Sequence, residues 1–215
     1  MSIIRCCYSQ SVKIGVLAGV NQSAFFPQGN SAYDFELDLK QASSPSITGF
    51  HVGVFTEFTN GNFSFEPGLI YESIEGKANY NEGDGRFGSD NGAYQFNVQY
   101  FQLPLNGLIN IPVSFGKVFF GGGPYIGLGG SGKTHQTGVS STYNFPYTSI
   151  INTDSTTPYR FGSADRFDFG LNALAGIRFK NKFLFTLGYG AGLRYVFNQQ
   201  LKNNVASVSL GYAFY

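Results

Sequence analysis

Residues 166–195 read RFDFGLNALAGIRFKNKFLFTLGYGAGLRY, and the spacing of their apolar side chains decides the fold. Phe167, Phe169, Leu171, Ala173, Ala175, Ile177 and Phe179 share one parity, while Asp168, Gly170, Asn172, Leu174, Gly176 and Arg178 hold the other. A period of two belongs to an extended chain, whose successive side chains point to opposite faces, and not to a helix of period 3.6. After Lys180-Asn181-Lys182 the pattern resumes. Phe183, Phe185, Leu187, Tyr189, Ala191, Leu193 and Tyr195 oppose Thr186, Gly188, Gly190, Gly192 and Arg194. Two such strands make a hairpin of roughly 35 to 45 Å at about 3.3 Å per residue, about twice the usual strand length.

Composition says what the apolar face meets. Only 13% of the 215 residues are charged, about half the share of a typical soluble domain, and a surface turned to lipid accounts for the deficit. No apolar run approaches the roughly 20 residues of a membrane-spanning helix, so a crossing has to be made by a closed barrel. A net charge of +1 argues against nucleic-acid binding. Cys6 and Cys7 are adjacent and outside every predicted strand, with neither disulfide nor metal-ligand spacing. Cys7-Tyr8-Ser9 before Gln10 carries the small residues at alternate positions of a signal-peptidase site, without the charged and apolar regions that precede one. Residues 1–9 are therefore expected to be the remnant of a processing segment with a truncated start, and residues 10–215 a single barrel domain.

The same alternation marks six more strands, at residues 13–21, 49–59, 63–74, 94–110, 117–130 and 204–214. Asn60-Gly61-Asn62 is a short-turn signal, residues 112–116 a turn, and Pro104 predicts a bulge because it cannot donate to a ladder. Residues 25–46, 75–92 and 132–164 are polar and aperiodic and read as long loops. Long and short connections alternate, so an eight-stranded antiparallel up-and-down barrel would carry long loops at one rim and tight turns at the other. That is the asymmetry of transmembrane barrels of the bacterial outer membrane, and it puts both termini in the periplasm. Eight strands leave an interior that side chains can fill.

Charge is confined to the parity opposite the lipid face. Lys13, Glu57, Glu66, Glu72, Asp168, Arg178 and Arg194 are expected to form a lumenal polar network, the three glutamates sharing it with Lys13, Arg178 and Arg194. Inward placement spares an arginine or lysine the roughly 2 to 4 kcal/mol cost of facing hydrocarbon at the midplane. The motifs for chemistry are weaker. Residues 127–134, GLGGSGKT, fit the P-loop pattern, but HQTGVSSTYNFP follows where a helix is required. His51 and His135 are the available imidazoles. His51 could meet a serine across strands as in a hydrolase, against the simpler reading of a packed lumenal histidine, and His135 sits in a loop read as poor in neighbours. No cofactor or metal site is expected. Tyr143, Phe145, Tyr147, Tyr159 and Phe161 form a candidate extracellular binding loop, or pack on the rim. Asp154-Ser155-Thr156 resembles a short O-glycosylation motif.

VKIGVLAGVN, GFHVGVF, FEPGLIYES, YFQLPLNGLI, GGPYIGL, DFGLNALAGIRF and LGYGAGLRY resemble the Bacteroidetes outer-membrane β-barrel family that includes the PorT-like proteins and OmpX-like eight-stranded barrels. The resemblance covers nearly all predicted strands and few loops, so it implies a fold and no catalytic residues. The C-terminal LGYAFY, with Tyr212, Phe214 and Tyr215, resembles the aromatic insertion signal read by the barrel-assembly machinery. The expected protein is a non-enzymatic barrel of the outer membrane, porin-like in architecture, with a structural or protein-interaction role as a candidate subunit of an envelope complex. Its expected partners are outer-membrane lipid, the assembly machinery and other envelope proteins, with no nucleic acid. The alternatives are a lipid-modifying enzyme using His51, a barrel that binds a small ligand, a soluble lipocalin-like carrier and a water-filled pore.

Overall fold

A computed structural model describes residues 11–27, 47–82, 88–144, 146–159, 166–196 and 201–214. Regular structure in them is all β: β1 (Ser11–Pro27), β2 (Ile47–Asn60), β3 (Phe63–Glu82), β4 (Gly88–Val113), β5 (Gly116–Asn144), β6 (Tyr147–Pro158), β7 (Phe167–Phe179), β8 (Phe183–Val196) and β9 (Leu201–Ala213). Every pairing is antiparallel, and the order β4-β3-β2-β1-β9-β8-β7-β5 is closed by β4 on β5. The ring therefore has eight strands, and β6 lies outside it, paired to β5 alone among the described residues. Closure through β1 and β9 runs from Gly15 opposite Ala213 to Pro27 opposite Leu201.

Three tight turns share one rim with the first residue of β1 and the last of β9. Gly61 takes the left-handed conformation (φ 62°) that the two-residue β2–β3 turn needs, and Lys182 takes it (φ 73°) in the β7–β8 turn. Lys182 N–H donates to Phe179 O (3.0 Å), and Lys180 N–H donates to Phe115 O (3.1 Å) in the β4–β5 turn. Adjacent turns are thus fastened together.

The face assignment read from parity holds around the ring. Val12, Ile14, Val16, Val52, Val54, Phe58, Leu69, Ile126, Leu171, Leu187 and Leu210 are exposed large apolar residues on the outside, and closure removes the sheet edges that lipid could not satisfy. Aromatics belt the wall at two heights. Phe50, Tyr71 and Phe101 pack as tilted rings with centroids 6.1 and 5.4 Å apart. Phe183, Tyr212 and Phe214 meet edge to face beside the tight turns at 5.2 and 5.4 Å. Phe50 and Phe58 lie eight positions apart on β2, about 26 Å along the strand and roughly 20 Å along the axis at a tilt of about 40°.

Three loop expectations need correction. Residues 75–82 and 88–92 belong to β3 and β4, and most of 132–164 belongs to β5 and β6. These segments have no apolar period because both of their faces meet water; across residues 131–144 no described side chain is buried. Residues 25–27 continue β1, and 28–46 lie outside the described residues. Pro104 causes no register shift. The β3–β4 ladder skips the positions opposite it and resumes in the same register, Pro67 opposite Leu105 and Ile70 opposite Gln102. The irregularity falls instead between Gln99 and Tyr100, where β5 carries the extra Gly130.

Candidate functional site

The lumen is built in layers. Next to the tight turns, Arg178 of β7 reaches across to β2 and β3. One guanidinium nitrogen bonds Glu57 Oε1, and the other bonds Glu66 Oε2 at 3.2 Å. Glu57 is fully buried and also accepts from Ser64 Oγ (2.9 Å), which in turn accepts from Asn110 Nδ2 (2.6 Å). Phe119 of β5, also buried, stacks under the guanidinium, 5.4 Å from centroid to Cζ. Two carboxylates, one arginine and an aromatic face thus occupy this level of the lumen. Beside it Phe55, Leu184 and Ala213 form an apolar cluster with Leu17 packed against them, Leu184 being the register partner of Arg178.

A cavity of about 110 Å³ starts at this level, against Glu66, Phe119 and Leu184, and reaches up to His51, Glu72 and Ser209. His51 Nε2 and Ser209 Oγ are 2.7 Å apart, both buried. The bond spans β1, because Gly19 is the register partner of both residues and offers no side chain in between. Glu72 is the register partner of His51 on β3. Higher still, Asp168 Oδ2 accepts from Tyr125 O–H at 3.2 Å. Ile74, Val98 and Tyr100 then cap the lumen, with Phe96, Tyr159 and Val205 against them.

The predicted polar network is therefore two groups. Glu57, Glu66 and Arg178 meet. Glu72 and Asp168 lie in the upper lumen, and neither makes an ion pair among the described residues. Arg194 instead donates to Phe167 O (3.1 Å). Lys13 is half-buried near Glu57 but beyond ion-pair distance. The shared network of all seven is corrected accordingly, because inward parity fixes a face and not a height. Sequence reading also undervalued the inward aromatics of β5, Phe119 and Tyr125, whose signal was their place on the glycine parity.

Above the ring β3, β4, β5 and β6 continue as a four-stranded projecting sheet. The fourteen residues 131–144 of β5 run about 46 Å at roughly 3.3 Å each. Tyr147 (77% exposed), Ile150 (65%) and Ile151 (60%) lie open on β6, with Tyr143 and Val139 on β5. Tyr159 departs from the expected binding loop, since it packs on the lumen cap; Phe145 and Phe161 lie outside the described residues, as does Tyr215. Tyr212 and Phe214 sit in the aromatic belt. Residues 127–134 are continuous strand paired to β4 except at the bulged Gly130, with β7 beside 127–128 and β6 beside 133–134. An extended strand does not wrap a phosphate as a P-loop does. His135, read as poor in neighbours, faces β6, with Nδ1 2.9 Å from Thr156 Oγ1 and Nε2 3.7 Å from Asp154. Ser155 is exposed.

A closed antiparallel ring with an apolar outside, two aromatic belts and a filled lumen has a match among known families. The family described as outer membrane protein beta-barrel domain matches residues 8–198. The chain belongs to that family. This outer membrane β-barrel protein is similar to Ail, the attachment invasion locus protein of Yersinia pestis. Identity is 14% over 95% of this chain and 99% of that one, with a TM-score of 0.41. It is also similar to Neisserial surface protein A, at 12% identity over 95% and 99% of the two chains and a TM-score of 0.41. Neither likeness bears on activity. No curated protein sequence matches the chain. Membership puts the apolar wall of the barrel in the lipid of the bacterial outer membrane.

Proposed function

We propose that this outer membrane barrel is a non-enzymatic interaction protein that holds the projecting β3–β6 sheet outside the cell as a platform for another protein. The observation that carries this reading is the sheet itself, which extends well beyond the lipid band and leaves β6 paired on one side among the described residues. An unpaired strand edge offers main-chain donors and acceptors to an added strand, and Tyr147, Ile150 and Ile151 supply apolar contact beside it. The tight-turn rim, with both termini, then faces the periplasm. Residues 10–215 act as one barrel domain after a processing segment at 1–9. The resemblance of the strands to PorT-like Bacteroidetes barrels favours a subunit of an envelope assembly as the setting. Lipid and the barrel-assembly machinery are the remaining partners, with Tyr212, Phe214 and Tyr215 as the insertion signal.

The test is site-specific photo-crosslinking from Ile150 in native membranes, with Leu171 in the lipid wall as the control. A discrete protein adduct from position 150 that is absent from position 171 and is lost in Tyr147→Asp/Ile151→Asp supports the reading. Adducts that are the same from both positions, or that survive the Tyr147→Asp/Ile151→Asp change, overturn it.

The His51–Ser209 pair favours a second reading, a reactive serine beside a small cavity. What it lacks is a bond orienting the imidazole, since no hydrogen bond joins Glu72 to His51 among those of the described residues. Labelling of Ser209 by a fluorophosphonate in the native barrel, lost in His51→Ala, would establish it.

A further inference from the structure

The tight-turn mouth of the barrel carries a second, larger recess that the interaction reading does not use. Its volume is about 310 Å³, and Lys13, Lys117, Arg178, Lys180 and Lys182 line it with Phe179. This is some ten times the roughly 30 Å³ share of one water, so it can admit a group of several heavy atoms. The cations come from β1, β5, β7 and the β7–β8 turn. They converge because β1 and β5 face each other across the ring, with the β7–β8 turn between them on the same rim.

The backbone holds the cations in place. Lys117 is the register partner of Arg178. Gly116 lets β5 start close against β7, where a Cβ would collide with Arg178 O. Lys180 N–H is tied to Phe115 O (3.1 Å), and Lys182 is fixed twice, its carbonyl accepting from Ala213 N–H (3.0 Å) and its Nζ donating to Phe214 O (3.0 Å). The balance of charge is one-sided. Residues 11–17, 53–69, 105–125, 172–191 and 204–214, which make up this half of the ring, contain no Asp or Glu except Glu57 and Glu66. Arg178 engages both of those. Lys13, Lys117 and Lys180 have no carboxylate within ion-pair distance among the described residues. Clustered like charges repel one another and favour an anion between them.

We propose that this recess is a binding site for a phosphate-bearing anion at the tight-turn mouth. Ammonium groups act on phosphate as point charges from several directions and need no planar match. The size suits a pyrophosphate or a phosphate ester. Two sources share that chemistry, a soluble phosphorylated molecule and a phospholipid headgroup leaning over the rim at Phe179. The site depends on this end of the barrel alone and stands or falls separately from the projecting sheet.

The test is titration of the folded barrel in zwitterionic detergent with inorganic pyrophosphate, read by calorimetry and by the amide shifts of residues 116, 117, 180 and 182. Saturable binding is expected, weakened at least tenfold in Lys117→Gln/Lys180→Gln, retained in Lys117→Arg/Lys180→Arg and reduced by added salt. The band shift of the folded barrel on unheated gels checks that the glutamine variant has folded. Repeating the titration in nanodiscs separates the sources. Competition by phosphatidylglycerol and not by phosphatidylcholine supports the headgroup, and an unchanged affinity in both supports a soluble anion. No saturable binding, or binding that the glutamine variant leaves unaltered, overturns the site.

Discussion

Arg178 is the residue on which the lower lumen turns. Its guanidinium meets one oxygen of a fully buried carboxylate, a second carboxylate and the face of Phe119 at once. Removing one partner of a buried pair strands the other charge, at a cost of about 3 to 5 kcal/mol. Arg178→Ala should therefore lower the stability of the barrel in lipid vesicles by that amount in urea titrations. Replacing Arg178, Glu57 and Glu66 together by leucine or methionine should restore most of it, since an apolar filling leaves no charge unpaired. A loss in the triple variant equal to that in the single one would show that the ions matter for more than mutual neutralisation. His51 acts on a smaller scale. His51→Ala leaves the buried Ser209 hydroxyl without its 2.7 Å partner, a loss of about 1 to 3 kcal/mol by the same titration.

At the scale of the strand, position along the axis decides what a substitution meets. Leu171 of β7 points outward in the lipid band, whereas Ile150 of β6 points into water above it, although both are more than half exposed. Leu171→Arg should cost about 2 to 4 kcal/mol. Ile150→Arg should fall within about 0.5 kcal/mol of the parent, as an exposed substitution away from packing does. Equal effects in a vesicle unfolding assay would contradict the boundary drawn between ring and projecting sheet. The same contrast explains what reading the chain could find. β7 and β8 were legible from parity because lipid on one side and a filled lumen on the other impose a strict alternation. β6 and the outer halves of β4 and β5 were not, because water on both faces selects mostly polar residues and leaves the few apolar ones, such as Ile150 and Ile151, with no period to detect. Pro104 shows the same limit. Its missing donor was evident, yet the ladder absorbed it as a gap in β3–β4 pairing, with no bulge.

For the molecule as a whole, the layers of the lumen predict a barrel closed to ions. Planar-bilayer recordings should show no sustained porin-like current. Arg178→Ala/Glu57→Ala/Glu66→Ala should admit a small conductance by joining the recess at the mouth to the cavity above it. Steady current through the parent barrel would overturn the filled lumen. The sequence by itself determined the ring: the alternation, the scarcity of charge and the spacing of turns leave a closed membrane barrel as the arrangement that satisfies backbone and side chains together. Only the tertiary structure decided which inward residues meet. Glu57, Glu66 and Arg178 come from three strands, and Lys13, Lys117, Lys180 and Lys182 from three separate parts of the chain. Parity states which face a side chain takes, but height in the lumen depends on the stagger between strands, and that is set when the ring closes.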